Sequence, residues 1–374
     1  MKFTISKPEL QRGLARIQSI VEKRNTMPIL ANVLLDVSGT GDSAQLELAA
    51  TDLEVGLRSA HTCEAESPGG VTASAKKLFE IVRELPDELV HVEVAPNAYL
   101  NIRCARAEFS LAGTTPDEYP TLPELSPESL IRVQAPLLGE MIERTMYAAS
   151  MDETRYNLNG VYLERIPDTG KIRMVATDGH RLAYVDRALG EDLEGFASGV
   201  IIPRKALAEL KRLVDEEDAD EVEFGFDGNG GIARKGQVTL MMRLIEGEFP
   251  NYRQVIPSDT TRQIILPTEP LLHALRRVVL LSVERSRAVT FDLADGRLAL
   301  SSSNPDLGDA REEIDIDYAG DALSIAFNAR YVIDALNACG AKEIRLSLKD
   351  ALAPAQITPA DDSDALAVVM PMRI

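Results

Sequence analysis

The chain has 374 residues, of which 45% are hydrophobic and 26% charged, and its net charge is −19. Such a length suits two or three ordinary domains, and the composition is that of a globular protein, which excludes disordered and fibrous classes. No apolar run reaches the roughly 20 residues that span a bilayer. Three scattered cysteines, Cys63, Cys104 and Cys339, indicate neither a disulfide framework nor a metal knuckle. Met1-Lys2-Phe3-Thr4-Ile5 reads as a first strand and not as a secretory leader. A cytoplasmic protein with no metal and no cofactor is expected.

In chain order, the first element after that strand is an amphipathic helix over residues 8–24, with Leu10, Leu14, Ile17 and Val21 at steps of three and four. A strand over residues 46–50 runs into Thr51-Asp52, and a second helix follows over 75–84. Residues 90–94 then alternate as a strand with one buried face does. Residues 101–104 and 109–111 read as an edge strand guarded by arginines. The segment closes on Tyr119-Pro120.

The same plan then recurs twice. Helices are predicted over 137–149 and 203–214, and again over 269–281 and 328–340. The markers Thr177-Asp178 and Ser303-Asn304 each stand 126 residues beyond the one before. Strand-like alternation returns at 222–226 and 344–348, and the closing motifs are Phe249-Pro250 and Met370-Pro371. A repeat of this kind marks three copies of one α+β domain, each with two units of strand, helix and strands. Polar, proline-bearing stretches place the boundaries at 1–125, 126–257 and 258–374.

The acidic balance taken alone argues against nucleic acid, because phosphate contacts need Lys and Arg. The charge is sorted, however. The six helical segments together carry +7, which leaves −26 on the rest of the chain. If the helices share a surface, that surface attracts phosphate while the remainder repels it. No recognition-helix motif is present, so contact is expected with the DNA backbone and not with bases.

Several motifs invite stronger readings. Thr177-Asp178-Gly179-His180 could be a catalytic or metal-binding pair, but adjacent Asp and His side chains rarely converge, and His61, His91 and His273 lie in other segments; a turn is expected. Asp227-Gly228-Asn229-Gly230-Gly231 precedes no helix and reads as a hairpin turn, not a phosphate cradle. The acidic run 215–220 reads as a solvated loop. The apolar terminus 366–374 is expected to pack, as a core strand through Val368 and beyond it as a methionine-bearing binding surface.

Over its whole length the sequence resembles the bacterial DNA sliding clamps, the beta subunits of DNA polymerase III. The resemblance is carried by residues 1–5, 24–30, Arg155-Tyr156-Asn157-Leu158-Asn159-Gly160, 176–182, Phe249-Pro250-Asn251-Tyr252 and 369–373. It implies the DNA-clamp fold, with antiparallel sheets outside and helices lining a ring built from two subunits. It also implies a non-catalytic subunit that tethers a polymerase to double-stranded DNA. The implied partners are duplex DNA without sequence preference, the polymerase III catalytic subunit, the clamp loader, and other polymerases and repair proteins. A second copy of the chain closes the ring, and no membrane is involved.

By the same resemblance DNA contacts fall on Arg24, Lys76, Arg155 and Tyr156, while Asp152 and Asn157 stand where the family carries a polar amide and a second tyrosine. A partner-peptide pocket is expected from Arg155, Leu158, Thr177, Gly179, His180, Arg181, Leu182, Pro250, Val255, Val368, Val369, Met370, Pro371, Met372 and Arg373, with Arg155, Arg181 and Arg373 at its rim to hydrogen-bond peptide carbonyls or carboxylates and favour acidic segments. The subunit seam is expected at Phe109, Leu280 and Leu281. Two rival classes are an enzyme using Asp178, His180 and Arg181, and a monomeric acidic scaffold.

Overall fold

The computed structural model describes residues 1–21, 27–122, 130–189, 199–216 and 219–373. Among them six α-helices stand at the six predicted places. They are α1 (Lys7–Ile17), α2 (Ala75–Glu84), α3 (Ala135–Met146), α4 (Arg204–Asp215), α5 (Thr268–Val278) and α6 (Ala329–Cys339). Local chemistry sets several of their ends. The Ser74 hydroxyl accepts from the Lys77 N–H, and the Asn328 side chain from the Arg330 N–H, which caps α2 and α6. Gly340, with φ at 66°, takes the left-handed turn that closes α6.

Helix α1 stops at Ile17, earlier than its periodicity predicts. Just beyond it the Ser19 hydroxyl donates to the Arg16 carbonyl at 2.8 Å, and the Ile20 N–H bonds Ile17 in a tighter turn. A hydroxyl that competes for backbone partners in this way ends helices. The basic tail assigned to this helix, Lys23 and Arg24, lies outside the described residues.

The chain divides into two compact units, one of residues 1–136 with 205–244 and the other of 137–204 with 245–374. In the first, strands form a sheet whose main path runs Ile131–Gln134, Glu221–Asp227, Gly230–Lys235, Val238–Arg243, Val55–Ser67, Lys2–Ser6, Leu89–Val94, Leu100–Cys104 and Ala107–Leu111. The segment expected as one edge strand is thus a hairpin, with Ala107–Leu111 as its outer member. The Asp227 to Gly230 connection is the two-residue hairpin turn that its glycines predict.

Strand Val55–Ser67 organises this unit. Its first half pairs with Val238–Arg243 and its second with Lys2–Ser6, while Gly41–Thr51 pairs along its other side. Helix α1 packs on α2; its Arg16 pairs with Glu216, the residue after α4, and Ser19 Oγ, just past α1, donates to Glu209 Oε2 of α4 at 2.6 Å.

The second unit repeats that joint. Its eight-stranded sheet runs Val200–Pro203, Gly160–Ile166, Lys171–Thr177, Arg181–Ala188, Ala365–Val369, Ala355–Pro359, Glu343–Leu348 and Arg262–Pro267. Arg181–Ala188 pairs with the last strand through Leu182 opposite Val368 and Ala183 opposite Ala367, as Gly56 opposes Met241 and Leu57 opposes Leu240 in the first unit. A four-stranded sheet ends on Gly308–Asp315. The core of the last copy packs Phe291 edge-on to Phe327, 5.3 Å between ring centres, under α5 and α6. Each of these aromatic rings is fully buried and contributes about 1.5–3 kcal/mol.

Much of the positive charge on the helices is engaged within the chain. Arg12 pairs with Glu9, Lys77 with Glu80 and Arg212 with Glu209, carboxylates that the helical sum already counts, whereas Arg277 pairs with Glu312 from outside the helices, which offsets one further charge. Cys63, Cys104 and Cys339 are buried free thiols. No described helix is long and apolar enough to cross a membrane.

Candidate functional site

The Thr-Asp marker is a turn with the same hydrogen bonds in the first two copies. Thr177 Oγ1 donates to the Arg181 carbonyl at 2.7 Å and accepts from the Gly179 N–H at 3.1 Å. Asp178 Oδ1 accepts from the N–H groups of His180 and Arg181 at 2.9 and 3.0 Å. In the first copy Thr51 and Asp52 make the same four bonds to Leu53, Glu54 and Val55. In the third, Asn304 Oδ1 accepts from the Asp306 N–H. The Asp178 carboxylate is thus a structural acceptor. It has no geometry for activating His180, whose ring lies over Tyr331, 6.4 Å between centres. No metal-binding cluster occurs among the described residues.

Arg181 corrects the expectation that it stands free at a rim. Its side chain is only 11% exposed; Nε donates to Asp178 Oδ2 at 3.1 Å and Nη1 to Asp334 Oδ2 at 2.6 Å. The guanidinium also lies 4.6 Å from the ring centre of Tyr331 and 5.4 Å from that of Tyr147. A cation so enclosed positions the turn and offers little to a ligand. Burial pushes the phenols of Tyr147 and Tyr331 above their ordinary range. Tyr331 and Asp334 were not anticipated, although their three-residue spacing on α6 places them on one helical face.

Arg155 does lie at the surface. It sits in the short turn of helix Glu153–Leu158 with φ −107° and ψ 57°, outside helical values. Its Nη1 reaches across to the Asp178 carbonyl at 2.8 Å, and its Nε donates to Asp152 Oδ2 at 3.1 Å. Gly179, with φ at +87°, lies beneath: a Cβ there would stand 3.2 Å from Arg155 Nη1. Asn157, which departs from the family pattern, donates Nδ2 to the Glu248 carbonyl at 3.0 Å and so fastens the turn to the Phe249-Pro250 segment.

The apolar members divide in two. Leu158, Leu182, Val368 and Val369 are buried within the chain, whereas Val255 and Met370 are 46% and 37% exposed. Both faces of this strand pair are covered: Leu182 and Val368 pair and pack with Val175, Leu366 and Tyr252, while Val369 points the other way into the core of the last copy. Tyr252 anchors the segment bearing Pro250 and Val255 by donating to Glu164 and accepting from Arg173 Nη1 at 3.2 Å. Burial first, then that carboxylate, raises its phenol to about 12. The terminus is anchored as well. The Met370 N–H bonds the His180 carbonyl at 2.9 Å and the Met372 N–H the Ala326 carbonyl at 2.7 Å. The final strand, Ala365–Val369, runs one residue past the predicted Val368.

Thr177, Gly179, His180, Arg155, Val255 and the segment Met370 to Arg373 thus belong to one compact unit. Of the residues expected at DNA, Lys76 is exposed on the first turn of α2 and Tyr156 is 60% exposed beside Gly247, while Arg24 lies outside the described residues. Of the expected seam, Phe109 is 39% exposed on the outermost strand of the first unit's sheet. Leu280 is 73% exposed beside Gly308–Asp315, with Leu281 half-buried.

Comparison with known proteins accounts for the whole chain. Residues 1–123, 132–251 and 253–373 match the models of the N-terminal, central and C-terminal domains of the DNA polymerase III beta subunit. The beta sliding clamp of Caulobacter vibrioides is 35% identical over 378 residues, with all of both chains covered. Among solved structures, the sliding clamp of Bartonella birtlesii, bound to griselimycin, superposes with a TM-score of 0.95 at 34% identity over the full length of both chains. The DNA polymerase sliding clamp of Bacillus subtilis superposes at 0.94 with 30% identity, over 100% of this chain and 99% of that one. With three domain models in order and full-length relatives above 30% identity, the chain belongs to the DNA polymerase III beta subunit family, the bacterial sliding clamps.

Proposed function

We propose that two copies of this chain close head to tail into a ring around duplex DNA, in the bacterial cytoplasm, and hold the replicative polymerase to its template without catalysing any reaction themselves. The observation that carries this reading is the full-length family match on a threefold repeat whose sheet runs on through each joint. The domains divide at 1–125, 126–257 and 258–374. Ring closure joins Phe109, on an outermost strand, to Leu280 and Leu281 beside the edge strand Gly308–Asp315 of the other copy. Weak phosphate contact by Arg24, Lys76, Arg155 and Tyr156 permits sliding, while closure prevents escape.

The catalytic subunit of polymerase III, the clamp loader and other polymerases and repair proteins dock by a short apolar peptide at the surface formed by Val255, Met370 and Arg155 around the Thr177–Arg181 turn. Leu158, Thr177, Gly179, His180, Leu182, Pro250, Val368, Val369, Pro371, Met372 and Arg373 frame that surface, and Arg181 holds it from within. Two readily exposed apolar anchors suit one or two large side chains, each adding about 1.5–3 kcal/mol before ordering costs. Electron-microscope images of single particles test the assembly. Rings with a hole wide enough for duplex DNA support the reading, and compact monomers contradict it.

A further inference from the structure

We propose that Asp152 sets the charge preference of this peptide site: it neutralises Arg155 at the mouth, so that the site favours peptides with an uncharged residue facing Arg155 over acidic ones. The inference rests on the peptide-docking reading above and adds a rule of selection to it.

The two carboxylate oxygens of Asp152 have separate tasks. Oδ1 accepts from the Thr154 N–H at 3.0 Å and from the Thr154 hydroxyl at 2.7 Å, which fixes the side chain as the cap of the turn. Oδ2 is thereby directed at Arg155 Nε, 3.1 Å away. Those hydrogen bonds from Thr154, with Arg155 adding to them, hold the carboxyl below its usual range, so it is an anion at neutral pH.

The neighbouring carboxylate of Asp178 does not serve Arg155. The acid group of Asp178 is already engaged by the His180 and Arg181 N–H groups and by Arg181 Nε, and offers Arg155 only its backbone carbonyl. Nε and one Nη1 donor are therefore occupied within the chain, and the guanidinium's other three N–H donors remain for a ligand. A donor already neutralised still hydrogen-bonds an amide, hydroxyl or carbonyl oxygen. It gives an incoming carboxylate little net attraction, because that carboxylate meets the Asp152 anion beside its partner. An amide at position 152 would accept the same bonds from Thr154 and leave the Arg155 charge uncompensated.

The test uses the full-length protein and a labelled, leucine- and glutamine-rich octapeptide, with a series in which aspartate replaces one residue at a time. Glu153→Gln is the control, since it removes an equal charge from the same exposed turn without a bond to Arg155. Relative to the neutral parent peptide, Asp152→Asn is expected to improve binding of the peptide bearing aspartate opposite Arg155 about two- to fivefold at low salt, the scale of one exposed ion pair. Glu153→Gln should leave that ratio unchanged, and the gain should vanish in an Arg155→Gln background and shrink in about 0.5 M salt. Equal shifts for neutral and acidic peptides, or a gain that survives Arg155→Gln, overturn the proposal while leaving the docking site standing. If the unaltered protein binds none of the peptides, the docking reading fails and this inference falls with it.

Discussion

Asp334 holds the Arg181 guanidinium at 2.6 Å, although 153 residues separate the two in sequence. Through this contact α6 of the third copy fixes the Thr177–Arg181 turn of the second. Asp334→Ala is expected to cost about 1–3 kcal/mol of unfolding free energy, because it strips one partner from a largely buried cation. It should also weaken binding of a leucine-rich peptide. Denaturant titration and peptide anisotropy check both effects, and Asp334→Asn should recover part of each.

The paired turns make a second expectation. Leu53 and Gly179 occupy equivalent places with φ at 80° and 87°, so a leucine sits where backbone sterics favour glycine. Leu53 is also 52% exposed and has little packing to lose. Leu53→Gly should therefore leave stability unchanged or raise it by up to about 1 kcal/mol, whereas Gly179→Ala should lower it by about 1–2 kcal/mol. It should also displace Arg155, whose Nη1 lies 3.2 Å from the added Cβ. Thermal denaturation of the two variants side by side distinguishes these outcomes.

Acid should weaken the first unit through His61. Its side chain is buried under α1, with Nδ1 2.7 Å from Glu9 Oε1 and Nε2 2.8 Å from Ser59 Oγ. Burial holds its pKa below the ordinary 6.5 despite the attraction of Glu9. The unfolded chain therefore takes up this proton first, and stability falls as the pH drops below about 6.5. Glu9 acts in the same direction lower down: its folded pKa lies below its ordinary value, so the stability it supplies is lost as the carboxylate is protonated. Denaturation of the parent and of His61→Gln at neutral and mildly acid pH should show the smaller loss in the variant.

The seam offers a direct test by substitution. Leu281→Asp should give folded monomer, because closure would bury an unpaired carboxylate against Phe109 of the partner copy. Sedimentation at micromolar concentration should find the parent as a dimer and the variant at half its mass, with unchanged circular dichroism. A parent that sediments as a monomer would contradict the seam.

The threefold plan was legible because it is local and periodic: the Thr-Asp and Ser-Asn markers, the alternating strands and the closing proline motifs all survive in one dimension. Five of the six helices fall within a few residues of their predicted bounds for the same reason. The end of α1 was not legible, since apolar spacing continues to Val21 while the Ser19 hydroxyl redirects the backbone. The environment of Arg181 was hidden too. An arginine beside a turn reads as a free rim cation until Asp334 and Tyr331 are brought to it from another copy. Likewise Leu182 and Val369 read as ligand-facing, but pairing between Arg181–Ala188 and Ala365–Val369 turns them into core.

The most direct measurement compares retention on circular and linear DNA. Once a loader has placed the protein on nicked circular duplex, the complex should survive moderate salt, since a closed ring does not depend on the phosphate contacts that salt screens. Cutting the circle should then release it by sliding off the ends, at a rate that blocking the ends with bound protein abolishes. Equal dissociation from circular and linear DNA would contradict the clamp.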